Sequence, residues 1–166
     1  MPAKIETFTR AAQRSRYWNR YMETLPRAKL DALHLRKLQL LLRYAYEHSA
    51  FYRATFDKAG LKPGDVRSLD DFKRKVPFTD KKDFVHLQQE RPPYGDTLAA
   101  PFELLAHHCE TSGTTGVPLA IPYTMYDTER YGESWCYAFW ALGIRPEDTV
   151  YFAFNWGNFA GLWSTY

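Results

Sequence analysis

Between Glu110 and Pro118 the chain reads Glu-Thr-Ser-Gly-Thr-Thr-Gly-Val-Pro, and this stretch stands apart from the rest as one able to hold an anion. Gly113 and Gly116 let the backbone come close to a ligand and take positive φ, and successive N–H groups can then converge on a negative charge. The hydroxyls of Thr111, Ser112, Thr114 and Thr115 add donors, so the composition is that of a phosphate cradle. The P-loop of ordinary NTPases places four residues between its glycines and follows them with Lys and Ser or Thr. Here two residues separate the glycines and no Lys follows, so that motif fails. On composition alone such a loop is more often a plain hairpin turn.

Two other clusters invite a chemical reading. His107, His108 and Cys109 are consecutive, but neighbours on a strand face opposite ways, so only His107 and Cys109 share a face, and two ligands do not make a zinc centre. No metal site is expected, and His108 reads as a structural or phosphate-adjacent histidine. The aromatic run Tyr151, Phe152, Phe154, Trp156, Phe159 and Trp163 reads first as ordinary core.

The elements that would position the loop fall into two textures. Across 166 residues, 45% hydrophobic and 25% charged, the composition excludes a disordered chain. Charge divides it: residues 1–86 hold 19 Lys and Arg against 10 Asp and Glu, and residues 87–166 hold 3 against 9. The basic half could signal a nucleic-acid partner. Its charges are interleaved with apolar residues at helical spacing, however, such as Leu30, Leu33, Leu38 and Leu41, as on a solvated amphipathic helix.

A long helix is predicted from Ala28 to His48, and a shorter one through Phe51 and Phe56 that stops at Gly60. Ser68 with Asp71 marks another helix start, and Thr79 with Asp80 a further one running to about Gln89. After Pro101 short apolar runs predict strands over Phe102–Cys109, Leu119–Tyr123 and Val150–Phe154. A helix between the last two is capped by Thr124 with Asp127 and closed by Gly143. The order strand, loop, strand, helix, strand is the opening of an α/β sheet. The expected division is a helical region over 1–92 and the start of an α/β domain over 93–166.

The order of residues in the loop says more than its composition. Thr-Ser-Gly-Thr-Thr-Gly-x-Pro resembles the phosphate-binding signature of the adenylate-forming superfamily. The flanking stretch from Leu41 to His48, Phe51-Tyr52-Arg53, Ala59-Gly60, Ser68-Leu69-Asp70-Asp71 and Pro77-Phe78-Thr79 is similar to the helical start of the phenylacetate-CoA ligases. The resemblance covers roughly residues 35–162. It implies the first part of a longer, AMP-forming acid-CoA ligase, in which a carboxylate attacks the α-phosphate of ATP and the thiol of coenzyme A then displaces AMP.

By the same resemblance, Thr111, Ser112, Gly113, Thr114, Thr115 and Gly116 hold the nucleotide phosphates with Mg²⁺, and His108 lies near the loop. Phe154, Trp156, Gly157 and Phe159 occupy the stretch of a candidate acyl pocket. Val117 stands where those ligases commonly carry Lys, which removes one positive charge beside the triphosphate. The catalytic Lys belongs to a C-terminal domain without counterpart in these residues, so no catalytic residue is assigned and the 166-residue piece alone is expected to be inactive. Two cysteines, Cys109 and Cys136, and a polar start fit a cytoplasmic protein, and the resemblance implies a role in aromatic acid catabolism. Its expected partners are a small carboxylic acid, ATP and coenzyme A, with no nucleic acid or membrane, and a homodimer is left open. The alternative is a non-catalytic module that binds a nucleotide or a partner.

Overall fold

The computed structural model describes residues 15–113, 116–153 and 157. Its helices are α1 (Arg20–Glu23), α2 (Arg27–His48), α3 (Ala50–Lys58), α4 (Leu69–Lys75), α5 (Lys81–Glu90) and α6 (Met125–Ala141), and its strands are β1 (Leu105–Glu110) and β2 (Ala120–Thr124). The fold is mixed: helices pack first, and a two-stranded antiparallel sheet follows, with α6 against both strands.

The core of the helical region is built from α2, α3 and the chain that follows. Leu42, Phe56, Leu61 and Val66 are buried, with Leu38, Tyr46, Tyr52, Phe72 and Val76 packed around them. Leu38, Leu42 and Tyr46 recur every four residues and so share one face of α2. The sequence pattern had put Leu41 on that face; it is 61% exposed, one residue round the helix from Leu42. In the run Leu38-Gln39-Leu40-Leu41-Leu42, apolar residues outnumber the places on one face, and the partner helix selects among them.

Local chemistry fixes where the helices end. Gly60 has φ +64°, its N–H reaches Asp57 O, and the Leu61 N–H reaches Phe56 O, the paired bonds of a left-handed C-cap. Gly143 and Ile144 repeat that arrangement at the end of α6. The Ser68 hydroxyl accepts the Asp71 N–H, and both Asp80 with Asp83 and Thr124 with Asp127 form reciprocal caps. Ser49, wholly buried, accepts the Tyr52 N–H at the start of α3 and donates to Asp96 O at 3.1 Å. That bond ties the α2–α3 corner to the segment leading into the sheet.

Two strand expectations are corrected. Phe102–Leu104 is a 3₁₀ turn, with the Leu104 N–H on Pro101 O at 3.0 Å, and the strand begins at Leu105. The ring of Pro101 sets φ at −56°, which starts a turn as readily as a strand. Val150–Ala153, the described part of the third expected strand, has no regular secondary structure. A strand exists by pairing, and no described segment pairs with it.

Candidate functional site

The loop Thr-Ser-Gly-Thr-Thr-Gly joins β1 to β2. Glu110 pairs with Ala120 at the end of the ladder, and Thr111 closes the neck twice: its N–H donates to Leu119 O at 3.0 Å, and its Oγ1 accepts the Leu119 N–H at 2.9 Å. The Thr111 oxygen thus accepts within the loop's own closure, which leaves its O–H able to donate. Within the loop the Gly116 N–H donates to Gly113 O at 2.9 Å.

The two glycines differ in what they do. Gly113 has φ +64°, and a Cβ there would lie 2.9 Å from Pro118 Cγ and 3.0 Å from Gly116 O. Its first role is to let the chain fold back over Pro118. Gly116 has φ +132° and no described atom within 4 Å of where a Cβ would stand, so that side of its backbone is open among the described residues. Ser112 and Val117 are exposed. Thr114 and Thr115 lie outside the described residues, as do Phe154, Trp156 and Phe159 of the candidate acyl pocket, whereas Gly157 is described and exposed.

His108 is placed beside the loop, on the strand that enters it. Its Nδ1 is 3.0 Å from the Tyr94 hydroxyl and its Nε2 is 3.3 Å from Glu110 Oε1. Cys109 points the other way and is 1% exposed, and burial pushes its thiol up from the ordinary value. Among the described residues no group of three or more His, Cys, Asp or Glu is placed to hold a metal ion.

Sequence reasoning missed two residues that fix this hairpin to the helices. The Gln88 carboxamide pairs with the outer edge of β2, donating to Ala120 O at 2.9 Å and accepting the Ala120 N–H at 3.0 Å. It acts as one rung of an additional strand. Burial raises the pKa of the Tyr94 hydroxyl, and the ring is 7% exposed between Phe102 and His108. Gln and Tyr carry no spacing signal for such roles, so only the packed structure reveals them.

A cleft of about 1420 Å³ opens between α2, residues 97–106, β2 and the start of α6. Leu40, Leu41 and Tyr44 form one wall and Leu119, Pro122 and Met125 another, so the cleft reaches the neck of the loop.

No family model matches the chain. Among curated proteins it is 39% identical over 140 residues to a phenylacetate-coenzyme A ligase of Thermus thermophilus, covering 84% of this chain and 30% of that protein. It is 36% identical to the Escherichia coli enzyme of the same name, over 84% of this chain and 31% of that one. Among solved structures, a 2-hydroxyisobutyryl-CoA ligase in the postadenylation state with 2-HIB-AMP matches with a TM-score of 0.76 and 36% identity, over 81% of this chain and 28% of that one. The same ligase with 2-HIB-AMP and CoA in the thioesterification state matches with a TM-score of 0.76 and 39% identity, over the same shares. The chain thus spans about 30% of the length of the curated relatives it matches.

Proposed function

We propose that this chain, a relative of the phenylacetate-coenzyme A ligases, is the nucleotide-phosphate-binding part of a longer AMP-forming acid-CoA ligase. In this reading the protein makes an acyl-adenylate from a carboxylic acid and ATP, and then a thioester with coenzyme A. Residues 1–92 form its helical region, and residues 93–166 open its α/β domain.

The observation that carries the reading is the loop from Thr111 to Gly116. Its order matches the adenylate-forming signature, and its neck is closed by Thr111 on Leu119 while Gly116 leaves an open side. Backbone N–H groups and hydroxyls held there offset charge on the β- and γ-phosphates, which favours departure of pyrophosphate. The donors fit a phosphate, not a metal, so Mg²⁺ enters bound to the triphosphate. Val117 supplies no charge, so the loop's attraction for the nucleotide comes from its backbone N–H groups and hydroxyls.

The solved relatives act on 2-hydroxyisobutyrate and the curated ones are named for phenylacetate. For this protein we propose an aromatic acid, taken by a pocket that includes Phe154, Trp156, Gly157 and Phe159, in a cytoplasmic enzyme of aromatic acid breakdown. Incubating the longer protein with labelled pyrophosphate, ATP and a panel of aromatic and small hydroxy acids tests this. Label should enter ATP only when the right acid is present. Exchange with no acid in the panel would sink the ligase reading, and exchange with aliphatic hydroxy acids alone would sink the aromatic one.

A further inference from the structure

We propose that Tyr94 and His108 are positioning residues for Glu110: together they hold its carboxylate to one side, so that it does not compete with phosphate for the N–H donors of the adjoining loop. The inference rests on reading that loop as the triphosphate site.

With Glu110 ionised and the imidazole neutral, the direction of each hydrogen bond follows. An ionised carboxylate only accepts, so the proton between His108 and Glu110 is carried by His108 Nε2. In a neutral imidazole the other nitrogen is then an acceptor, and the Tyr94 hydroxyl, 3.0 Å away, donates to Nδ1. Tyr94 O–H to Nδ1, and Nε2–H to Glu110 Oε1, is one continuous relay. Its far end is anchored, since Tyr94 is 7% exposed and its ring packs against Phe102 and His108. A buried tyrosine with one partner for its hydroxyl gives the imidazole a fixed tautomer and a fixed orientation.

Glu110 is the residue that needs holding. It ends β1 and directly precedes Thr111, whose N–H donates across the neck and whose Oγ1 accepts there. A loop built to attract an anion attracts this carboxylate as well, and a carboxylate so close acts at high effective concentration. With Val117 in the loop, no lysine is present there to absorb it. Tying the carboxylate to the Nε2–H removes the internal competitor.

The test is a set of variants of the longer protein, with MgATP binding read by calorimetry. Tyr94→Phe and His108→Ala should each weaken MgATP roughly tenfold, the scale of one charge-assisted hydrogen bond. Adding Glu110→Gln to either should restore the affinity, because a neutral amide competes poorly for anion donors. A purely structural role for Tyr94 or His108 would not be rescued by changing Glu110, so a loss without rescue overturns the proposal, as does full affinity in Tyr94→Phe. Wild-type protein that binds no MgATP would instead remove the reading of the loop, and this inference with it. Nitrogen-15 spectra of the His108 ring give a readout independent of nucleotide: the Nε2–H tautomer is expected, and the Nδ1–H tautomer overturns the relay. Should His108→Ala fail to fold, Tyr94→Phe carries the same test.

Discussion

The helical region and the hairpin region solve the burial problem differently. In the first, Leu42, Phe56, Leu61 and Val66 come from α2, α3 and the turn after it, and each is covered by the others. In the second, Tyr94, Cys109 and Trp140 are buried outside any such cluster, while Leu104, Met125, Tyr126 and Leu142 are each more than half exposed. Helices that fold back on one another complete a core within a short stretch of chain. Two strands with one helix do not, because an isolated hairpin has one face too many and edges without partners. The Gln88 carboxamide satisfies one outer rung of β2 and so lends the hairpin to the helices. The contrast fits a chain spanning about 30% of the length of its curated relatives.

The largest expected effect lies within the helical region, between its covered core and its exposed wall. Phe56→Ala removes the aromatic centre of the helical core and should cost about 3–5 kcal/mol of unfolding free energy in urea. Leu41→Ala, at a position 61% exposed on the cleft wall, should stay within about 0.5 kcal/mol. Amide exchange should follow the same division, with α2 and α3 protected longer than β1 and β2. Equal losses for the two variants would break the comparison, since they would mean that the cleft wall is packed in solution.

A smaller effect sharpens the account of the loop. Gly113→Ala must place a methyl against Pro118 and Gly116 O at φ +64°, so strain and overlap add. Gly116→Ala meets no described atom and carries only the backbone strain. The first should open the neck, seen as faster exchange of the Thr111 and Leu119 amides, with a loss of roughly 2–3 kcal/mol in the hairpin. The second should stay near 1 kcal/mol. Pairing Gly113→Ala with Pro118→Ala removes the ring contacts and should recover part of the difference. If it recovers none, the constraint on Gly113 is its dihedral and the contact with Gly116 O, not the proline ring.

How much of this could be read from the sequence depended on how local the interaction is. The caps at Ser68, Asp80 and Thr124 and the glycines at positions 60 and 143 were readable because each acts within one turn of chain. The loop stood out because its glycines and hydroxyl residues are contiguous. The facing of α2 was not, since Leu40, Leu41 and Leu42 are alike in chemistry and only a packed partner distinguishes them. Nor was the fate of Val150–Ala153, because alternation of apolar residues states a preference for pairing but does not supply the partner strand. Gln88 and Tyr94 bridge 32 and 14 residues of chain, and no short-range pattern announces such bonds.

The smallest expected effect is one of pH, and it belongs to the helical region. Asp71 is held down to about 2 chiefly by its hydrogen bond to Lys75, with the Arg67 N–H and the Ser68 hydroxyl adding to it. Its ordinary value is 3.8, so the folded chain binds this proton less readily than the unfolded chain does. The stabilisation is therefore complete above about pH 4 and is lost as pH falls towards 2. Asp71→Asn cannot ionise, so it should be the less stable form at pH 5, and the two proteins should converge near pH 2 in urea melts read from the helical signal. Because the carboxylate meets solvent, added salt should narrow the gap at pH 5. A gap that persists unchanged at pH 2 would mean that Asp71 acts through shape and capping alone, and the electrostatic part of its role at the start of α4 would fall.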